Sequence, residues 1–475
     1  MNSSRRAKII CTIGPASRAP GIMRSLILEG MDVARFNFSH GGPNAQAEHI
    51  ENLRQVARDC GSRVAILQDL QGPKIRTGTI AGGEVELEKG AAFTLTTRPV
   101  EGDEKEVSTT YSALPRDCRP NDTILLDDGN IALRVEKVTD TDVICVVTDG
   151  GPLKPNKGIN LPGVPVSAPA LSAKDRHDVE WGFRNNVDFV ALSFVRQADE
   201  VRELKEMARS LGASTQIIAK LEKPEAMENL DAIIEAADGV MVARGDLGVE
   251  MQPEDVPLMQ KRIIRAAGEA GKFVITATQM LESMTTNQRP TRAEVSDVAN
   301  AVLDGTDAVM LSGETANGDY PLDTLKMMAR IVEAVEAAPP TPRTPVAPSR
   351  DFTDAISLAA ARAAENLQAR AIVVFTEGGG SALRISRHRP RVPILAFTPH
   401  EGVARQLNLV WGVRAHIVPR HDDTDTMLSF ADGELVRLGL ATSGEIVVFT
   451  LGAPVSSRGS TNLLKLHRLG EIHTI

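Results

Sequence analysis

Short apolar runs that end in polar residues recur along this chain, and they predict buried strands. One of them, 217–219, leads directly into Lys220 and Glu222. Side chains two positions apart on a strand point to the same face. The pattern therefore brings an ammonium and a carboxylate side by side where the strand ends. Pro224 stops the strand, and a helix is predicted over 225–236.

The same design returns in the strands that follow. The later runs and the polar residues that they reach are 239–243 with Arg244, Gly245 and Asp246; 273–278, which ends in Thr278; and 308–311 with Ser312 and Glu314. Helical segments separate these runs. Parallel strands that alternate with helices and collect polar groups at their C-terminal ends are typical of a (β/α)8 barrel, the TIM-barrel fold.

Changes in composition divide the chain into five segments. Residues 1–72 carry the first part of the barrel pattern, and residues 73–166 switch to short alternating runs, which predict an all-β insertion. The barrel pattern resumes over 167–340. A Pro-rich linker over 341–349 precedes a doubly wound α/β domain at 350–475. An insertion after the third strand lies at the active-site end of a barrel, which suits a lid. No internal repeat is evident.

Composition narrows the class of function. The chain of 475 residues, 42% of them hydrophobic, can bury several cores. A formal charge of -9 and an aromatic content of 3% argue against a nucleic-acid binder. The four cysteines lack the spacing of a zinc site and fit reduced thiols in a cytoplasm. No apolar run approaches the roughly 20 residues of a membrane span, and no signal peptide is evident. We therefore expect a cytoplasmic protein without membrane partners.

The carboxylates at the predicted barrel rim suit a divalent cation. Glu222 and Asp246 end adjacent strands, and paired carboxylates with room for water suit Mg²⁺ or Mn²⁺. Acid–base hydrolysis is the alternative for such a pair. Lys220, Arg35 and Arg76 are expected around the same point and argue against it. With the ion, this set carries about three positive charges, which matches a small substrate that bears a phosphate and a carboxylate.

Further donors are expected beside this cluster. The backbone amides of Gly245 and Asp246, near a helix start, can bind an anion. Thr278, one strand further around the barrel, can donate a hydrogen bond to a carboxylate.

Seven longer motifs resemble those of the pyruvate kinase family. They are 11–17 (CTIGPAS), 34–41 (ARFNFSHG), 217–227 (IIAKLEKPEAM), 241–248 (MVARGDLG), 277–284 (ATQMLESM), 289–294 (RPTRAE) and 311–316 (LSGETA). The resemblance covers the whole chain in the family's order: barrel, β-barrel lid inserted after the third strand, barrel, and C-terminal α/β domain. It implies phosphoryl transfer from phosphoenolpyruvate to ADP, which gives pyruvate and ATP in the last step of glycolysis.

The resemblance also implies roles for single residues. Lys220 would neutralise the phosphoryl group in flight, and Arg35 and Arg76 would help to hold phosphates. Glu222 and Asp246 would ligate the divalent ion that bridges phosphate and enolate.

Other implied roles concern the proton, the nucleotide and the assembly. Thr278 would lie near the enolate carbon, with Ser312 and Glu314 in a proton relay to it. The nucleotide would contact Asn37, His40, Arg76 and Lys157, and the family suggests a homotetramer.

One departure from the family concerns potassium. Many members bind K⁺ through residues like Asn37, Ser39, Asp69 and the backbone of Leu70, and carry a Glu where this chain has Lys74. Members with Lys at this position tend not to need K⁺. An ammonium group would supply the charge of the missing ion, so we expect K⁺ activation to be weak or absent.

A glycine-rich loop of the C-terminal domain is a candidate effector site. It comprises Thr376, Glu377, Gly378, Gly379, Gly380 and Ser381, between a predicted strand and a predicted helix, where backbone amides can cradle a phosphate. A plain connection is the alternative. The family binds sugar-phosphate or nucleotide effectors at this loop, helped by a later loop that here contains Arg458. Gly379 and Gly380 depart from the commoner family loop, so the phosphorylated effector is open and allosteric activation is a hypothesis.

Three other readings of the same residues compete with this one. A metal-dependent aldolase or lyase that passes through a pyruvate enolate would share the carboxylates. A Schiff-base aldolase would use Lys220 as its amine, which is disfavoured because an ammonium beside Glu222 stays charged. A barrel without activity could carry the C-terminal domain as a metabolite sensor.

Overall fold

The computed structural model describes residues 5–39, 41–339, 351–454 and 461–470. The segment before the insertion supplies three parallel strands and two helices: β1 (Lys8–Thr12), α1 (Pro20–Leu28), β2 (Val33–Asn37), α2 (Pro43–Asp59) and β3 (Ala65–Asp69). His40, Arg458 and the predicted linker over 341–349 lie outside the described residues.

The insertion after β3 is all-β apart from one short α-helix and a 3₁₀ turn at Ala81–Gly83. Its elements are β4 (Val85–Leu87), β5 (Ala92–Thr96), β6 (Glu106–Ser108), α3 (Leu114–Asp117), β7 (Thr123–Leu126), β8 (Ile131–Val138), β9 (Asp142–Asp149), β10 (Gly151–Leu153) and β11 (Ile159–Asn160). Six strands pair in the order β11-β7-β8-β9-β5-β6, and β10 pairs with β4. Alternate residues such as Leu133, Val135 and Cys145 point inward and give the insertion a core of its own.

The chain then returns to complete the barrel. The elements are α4 (Ala173–Arg184), β12 (Phe189–Leu192), α5 (Ala198–Ser210), β13 (Gln216–Leu221), α6 (Pro224–Glu228), α7 (Leu230–Ala236), β14 (Gly239–Ala243), α8 (Arg244–Glu250), α9 (Val256–Glu269), β15 (Phe273–Ala277), α10 (Arg292–Asp304), β16 (Ala308–Leu311), α11 (Gly313–Ala316) and α12 (Pro321–Ala337). The closed order is β1-β16-β15-β14-β13-β12-β3-β2. The predicted (β/α)8 barrel is thereby confirmed.

The helix predicted over 225–236 is wrong in one respect, because Asn229 divides it into α6 and α7. The Asn229 side-chain amide donates to the carbonyl of Arg196 at 3.0 Å and to that of Glu225 at 3.1 Å. Asparagine side chains compete with the helix for backbone groups in this way.

Apolar side chains plug the lower part of the barrel. Phe189 and Phe273 meet edge to face with ring centroids 5.8 Å apart. Gly239 makes room for this pair, because a Cβ at that position would lie 2.0 Å from the Phe273 ring. This apolar plug separates the bottom of the barrel from the rim where the strands end.

The last segment forms a doubly wound domain. Its elements are α13 (Phe352–Asn366), β17 (Ala371–Phe375), α14 (Gly380–Ser386), β18 (Ile394–Thr398), α15 (Glu401–Gln406), β19 (Val413–Ile417), α16 (Thr424–Arg437), β20 (Ile446–Leu451) and β21 (Leu463–Arg468). The sheet order is β19-β18-β17-β20-β21, with β21 antiparallel to β20. Separate apolar clusters pack on its two faces. Within the described residues, no helix has the length and apolar character needed to cross a membrane.

Candidate active site

Four side chains of opposite charge form a row at the C-terminal rim of the barrel. Arg35 Nε donates to Asp69 Oδ2 at 2.7 Å, and Lys220 Nζ lies 3.3 Å from Asp69 Oδ1. The same ammonium lies 2.9 Å from Glu222 Oε1. The two carboxylates are almost completely buried, with 2% of the Asp69 side chain and none of the Glu222 side chain exposed. The predicted pairing of Lys220 with Glu222 is present.

Strand alternation explains how these residues meet. On β2, Val33 packs inside the barrel and Ala34 packs against the outer helices, so Arg35 points inward one step higher. On β13, Ile218 packs inside, so Lys220 points inward as well. The row of charges is thus the layer above the apolar plug.

The charges fix the protonation states of the row. Burial lowers the pKa of the Lys220 amine, but the carboxylates of Asp69, Glu222 and Asp246 outweigh burial and raise this pKa above its usual range. Burial raises the pKa of Asp69, but Lys220 and Arg35 outweigh it and hold that pKa below the ordinary value. Lys220 is therefore an ammonium and Asp69 a carboxylate at neutral pH.

Glu222 and Asp246 fit a hard divalent cation. Burial, with the nearby charge of Asp246, raises the pKa of Glu222 despite the opposing charge of Lys220. Glu222 Oε2 accepts the amide of Phe194 at 2.7 Å. Apart from its ion pair with Lys220, Glu222 Oε1 is buried without a hydrogen-bond donor among the described residues. A carboxylate in this state gains from a cation.

Within the described ranges, no cluster of three or more acidic, histidine or cysteine side chains could hold a metal. The two carboxylates alone suit Mg²⁺, which usually keeps waters and substrate oxygens as its other ligands.

Ser193 belongs to the site and was missed in the sequence. Lys220 Nζ donates to Ser193 Oγ at 2.7 Å, and Ser193 Oγ donates to the carbonyl of Leu70 at 2.8 Å. The signal that could have found it is again alternation, because Phe189 and Ala191 point into the barrel on β12 and Ser193 follows two positions later.

Thr12 is a second missed residue, found by the same rule. It follows Ile10, which packs inside the barrel on β1. Arg35 NH1 donates to Thr12 Oγ1 at 2.9 Å, and Thr12 Oγ1 donates to the carbonyl of Leu311 at 2.8 Å. The Arg35 guanidinium is therefore held from two sides.

Thr278 occupies an unusual backbone conformation beside Gly245. Its φ is +64°, which is rare for a β-branched residue and needs support from its surroundings. Arg244 NH2 donates to the Thr278 carbonyl at 2.7 Å, and Arg244 NH1 pairs with Asp297 at 2.6 Å. The Gly245 amide, expected to be a donor for an anion, donates to Thr278 Oγ1 at 2.7 Å instead.

Ser312 and Glu314 lie together, with different environments. The buried Glu314 carboxylate accepts the amide of Leu281 at 3.1 Å and that of Ser312 at 2.6 Å. Ser312 Oγ is buried without a hydrogen-bond partner among the described residues. Glu314 thus fixes two backbone segments, and the Ser312 hydroxyl is the group left for a ligand.

Two of the predicted site residues bind within the insertion rather than to the charged row. Arg76 NH1 donates to the carbonyl of Asn156 at 2.9 Å, and Lys157 Nζ pairs with Asp127 at 2.6 Å. With Asp69 present and Arg76 absent, the row, Asp246 and a divalent ion together carry one formal positive charge rather than the expected three.

Asn37 and Asp69, two residues of the expected monovalent-cation position, face each other on the neighbouring strands β2 and β3. Asn37 Oδ1 accepts the amide of Ser39 at 3.0 Å, and Asp69 binds Arg35 and Lys220. Lys74 borders a small gap between barrel and insertion, beside Asn160 and Glu250. It has no ion pair within the described residues.

The glycine-rich loop of the C-terminal domain borders a cavity of about 670 Å³. Glu377 accepts from His400 Nε2 at 2.9 Å and from Arg420 Nε at 3.2 Å. Gly379 has φ +83° and donates its amide to Thr376 Oγ1 at 2.9 Å. Ser381 Oγ contacts Thr461 Oγ1. Two basic side chains beside the loop, His400 and Arg420, are therefore already bound to the loop's own carboxylate.

Comparison with known proteins identifies the family. Residues 4–325 match the family model "Pyruvate kinase, barrel domain", and residues 354–467 match "Pyruvate kinase, alpha/beta domain". A pyruvate kinase of Mycobacterium tuberculosis is 48% identical over 468 residues, which cover 98% of this chain and 99% of that protein. A pyruvate kinase of Geobacillus stearothermophilus is 46% identical over 475 residues, which cover 98% of this chain and 81% of that protein.

A solved structure agrees with these relatives. The crystal structure of a pyruvate kinase from Cryptosporidium parvum superposes with a TM-score of 0.91 at 37% identity, over 98% of this chain and 96% of that one. Family models, relatives and fold all agree, and the chain belongs to the pyruvate kinase family.

Proposed function

We propose that the charged row is the phosphoryl-transfer site of the pyruvate kinase reaction. In that reaction, the phosphoryl group of phosphoenolpyruvate passes to ADP, and pyruvate and ATP are released. The transition state spreads negative charge over the moving group, so catalysis consists mainly of positioning and neutralisation. The observation that carries the proposal is the buried ammonium of Lys220, held between Asp69, Glu222 and Ser193.

Lys220 neutralises the phosphoryl group during its transfer, and Arg35 helps to hold the phosphate of the substrate. The ammonium is fixed before substrate arrives, so little reorganisation is needed in the transition state. Arg35 is oriented by Asp69 and Thr12, which leaves the rest of its guanidinium fork for a phosphate oxygen. Asp69 is therefore a positioning residue for both cations.

The family's reaction depends on a divalent cation, and we assign its ligands here to Glu222 and Asp246. When bound, the ion supplies Lewis-acid stabilisation of phosphate and enolate oxygens. Glu222 Oε1 is buried and has no hydrogen-bond donor besides Lys220 among the described residues, and Asp246 lies in the first turn of α8. Mg²⁺ or Mn²⁺ suits two carboxylates of this kind.

Thr278, with Ser312, is assigned to the protonation of the enolate. Arg244 holds the Thr278 backbone through its carbonyl, and the Gly245 amide donates to Thr278 Oγ1. The Ser312 hydroxyl supplies a free polar group, and Glu314 positions it through the backbone. Gly245 and Asp246 are the remaining proposed substrate contacts.

Nucleotide binding is assigned to the insertion and to β2. Arg76 binds a neutral carbonyl and Lys157 a partly exposed carboxylate, so a polyphosphate can replace both partners at modest cost. Closure of the insertion over the barrel would carry both cations to the nucleotide. Asn37 and His40 complete the proposed set.

The pKa of Lys220 argues against the Schiff-base alternative. A Schiff base needs a neutral amine, whereas the carboxylates around Lys220 raise its pKa and keep it charged. A metal-dependent aldolase transfers no phosphoryl group, so it would not require the Lys220 ammonium.

Substitution of Lys220 tests the central role. In a coupled assay with phosphoenolpyruvate, ADP and Mg²⁺, Lys220→Met should lower kcat by about 1,000-fold or more, because a fixed cation is lost from the transition state. Lys223→Met is the matched control, since Lys223 is also buried and pairs with Glu250 at 2.7 Å. It should lower stability but retain most of the turnover per folded molecule. Near-normal kcat in Lys220→Met would contradict the assignment.

Ser193 tests whether the ammonium must be held in place. A hydrogen bond to a charged group is worth about 1.5–3 kcal/mol, so Ser193→Ala should lower kcat by about 10-fold or more. Ser193→Thr keeps the hydroxyl and should recover most of the loss. Ser357→Ala, which removes a buried hydroxyl that donates to the Thr353 carbonyl, should leave kcat unchanged. Equal kcat in Ser193→Ala and wild type would exclude the positioning role.

The potassium prediction is tested by turnover in a K⁺-free buffer. We propose that the Lys74 ammonium replaces the ion, so the wild type should keep most of its activity without KCl. Lys74→Glu should create a requirement for K⁺, because it removes a positive charge and adds a carboxylate. The proposal fails if the wild type is nearly inactive without K⁺ and recovers when KCl is added.

We propose that a phosphorylated effector binds at the loop 376–381. We also propose a homotetrameric assembly, which light scattering can check. A phosphorylated effector must compete with Glu377 for His400 and Arg420. Titration with sugar phosphates and AMP should shift the phosphoenolpyruvate saturation curve. Glu377→Gln should bind the active compound several-fold more tightly, since the competing charge is gone. Unshifted saturation curves with every compound would reject the site.

A further inference from the structure

Four aspartates at the bottom of the barrel repeat one arrangement. Each directly precedes an even-numbered barrel strand: Asp32 before β2, Asp188 before β12, Asp238 before β14 and Asp307 before β16. Each carboxylate accepts the backbone amide of the preceding odd-numbered strand, from Ile9 at 2.8 Å, Ile66 at 2.8 Å, Ile217 at 2.8 Å and Val274 at 2.9 Å. In return, each aspartate amide donates to the carbonyl of that same residue. The bases of the strands are thus joined in four pairs.

Every aspartate of this set also pairs with a cation, and the cations have two origins. The barrel segment itself supplies Arg5 to Asp32 at 2.6 Å and Lys205 to Asp238 at 2.7 Å. The C-terminal domain supplies the other two: Arg405 to Asp188 at 2.9 Å and Arg389 to Asp307 at 2.9 Å. Alternate pairs around the barrel therefore depend on a different domain.

The two pairs that depend on the C-terminal domain are the more deeply buried ones. The exposed fraction is 2% for the Asp188 side chain and 4% for that of Asp307, against 21% for Asp32 and 31% for Asp238. A buried carboxylate that loses its cation destabilises the fold far more than an exposed one does. Asp188 and Asp307 thus need the C-terminal domain in its present position.

Neighbouring contacts reinforce both connections. Gln406 Nε2 donates to the carbonyl of Ser214 at 2.8 Å, next to the Arg405 pair. The Trp411 amide donates to Asp307 Oδ1 at 3.3 Å, and the Arg389 guanidinium stacks over the Trp411 ring at 4.9 Å.

The strands held in this way lead straight to the active site. β12 pairs with β3 on one side and with β13 on the other, and Ser193 follows its last residue. Asp188 is five residues before Ser193, a distance of about 16 Å along a strand. In the same way, β16 leads from Asp307 to Ser312.

We propose that Arg405 and Arg389 are positioning residues, through which the C-terminal domain sets β12 and β16 and thereby the hydroxyls of Ser193 and Ser312. The proposal rests on the roles assigned to these two serines above. Because coupling between two sites is reciprocal, substrate bound at the rim must in turn stabilise the docked C-terminal domain.

Hydrogen exchange of the full-length protein tests this coupling directly. In the wild type, phosphoenolpyruvate with Mg²⁺ should slow amide exchange in α15 several-fold. In Arg405→Gln the substrate should no longer slow it, and KM for phosphoenolpyruvate should rise several-fold. Arg405→Lys, which keeps the charge, should restore both properties.

Lys205→Gln is the matched control, because it breaks the same kind of pair with a barrel cation. It should lower thermal stability but keep the substrate-dependent slowing in α15. Asp188→Asn tests the barrel side without removing the acceptor for the Ile66 amide, and should behave like Arg405→Gln. Turnover of the wild-type protein is measured on the same samples. This measurement distinguishes a failure of the assigned catalytic roles from a failure of the coupling.

Three results would overturn the proposal. They are the absence of slowing in the wild type, full slowing in Arg405→Gln, and loss of slowing in Lys205→Gln.

Discussion

The site depends on one electrostatic interaction, the sharing of the Asp69 carboxylate between Arg35 and Lys220. Isolated charges at this depth would each cost several kcal/mol, and an unpaired lysine would lose its proton. Asp69 lets both cations stay charged and close together, and Glu222 extends the row by one more carboxylate. The result is a fixed ammonium beside Glu222 and Asp246, the two proposed metal ligands. A migrating phosphoryl group needs such an environment before it arrives, since rearrangement during transfer would cost rate.

The closed barrel makes this row possible through strand alternation. Inward-pointing residues form layers, and the lower layers are filled by side chains such as Phe189, Ile218 and Phe273. The next inward position on each strand is the first that can be polar, because it lies at the rim. Thr12, Arg35, Asp69, Ser193 and Lys220 all occupy it, two positions after an inward apolar residue. The apolar plug below keeps water away from the ammonium and strengthens its interactions.

This rule explains what the sequence could and could not predict. Lys220 and Glu222 were evident because both follow a short apolar run on one strand. Alternation places Ser193 and Asp69 on the inward face, but their contacts with Lys220 depend on which strands are neighbours in the closed barrel, which alternation alone does not reveal. The sequence predicts Arg76 and the Gly245 amide to be free donors. In the structure they donate to the Asn156 carbonyl and to Thr278 Oγ1, which lie close to them in space. Such partners lie far away in sequence, up to 80 residues for Arg76.

The strand-base aspartates extend the same argument to the whole chain. Their fourfold repetition is invisible as a sequence repeat, because only one residue per unit is retained and the cations come from unrelated positions. Two of those cations lie in the C-terminal domain, more than 80 residues beyond their aspartates in each case. In a barrel that supplied all four cations itself, the geometry of the strands would not depend on the C-terminal domain. By leaving the two most buried aspartates of this set to be neutralised from outside, this barrel makes the geometry of two active-site strands depend on how that domain is docked.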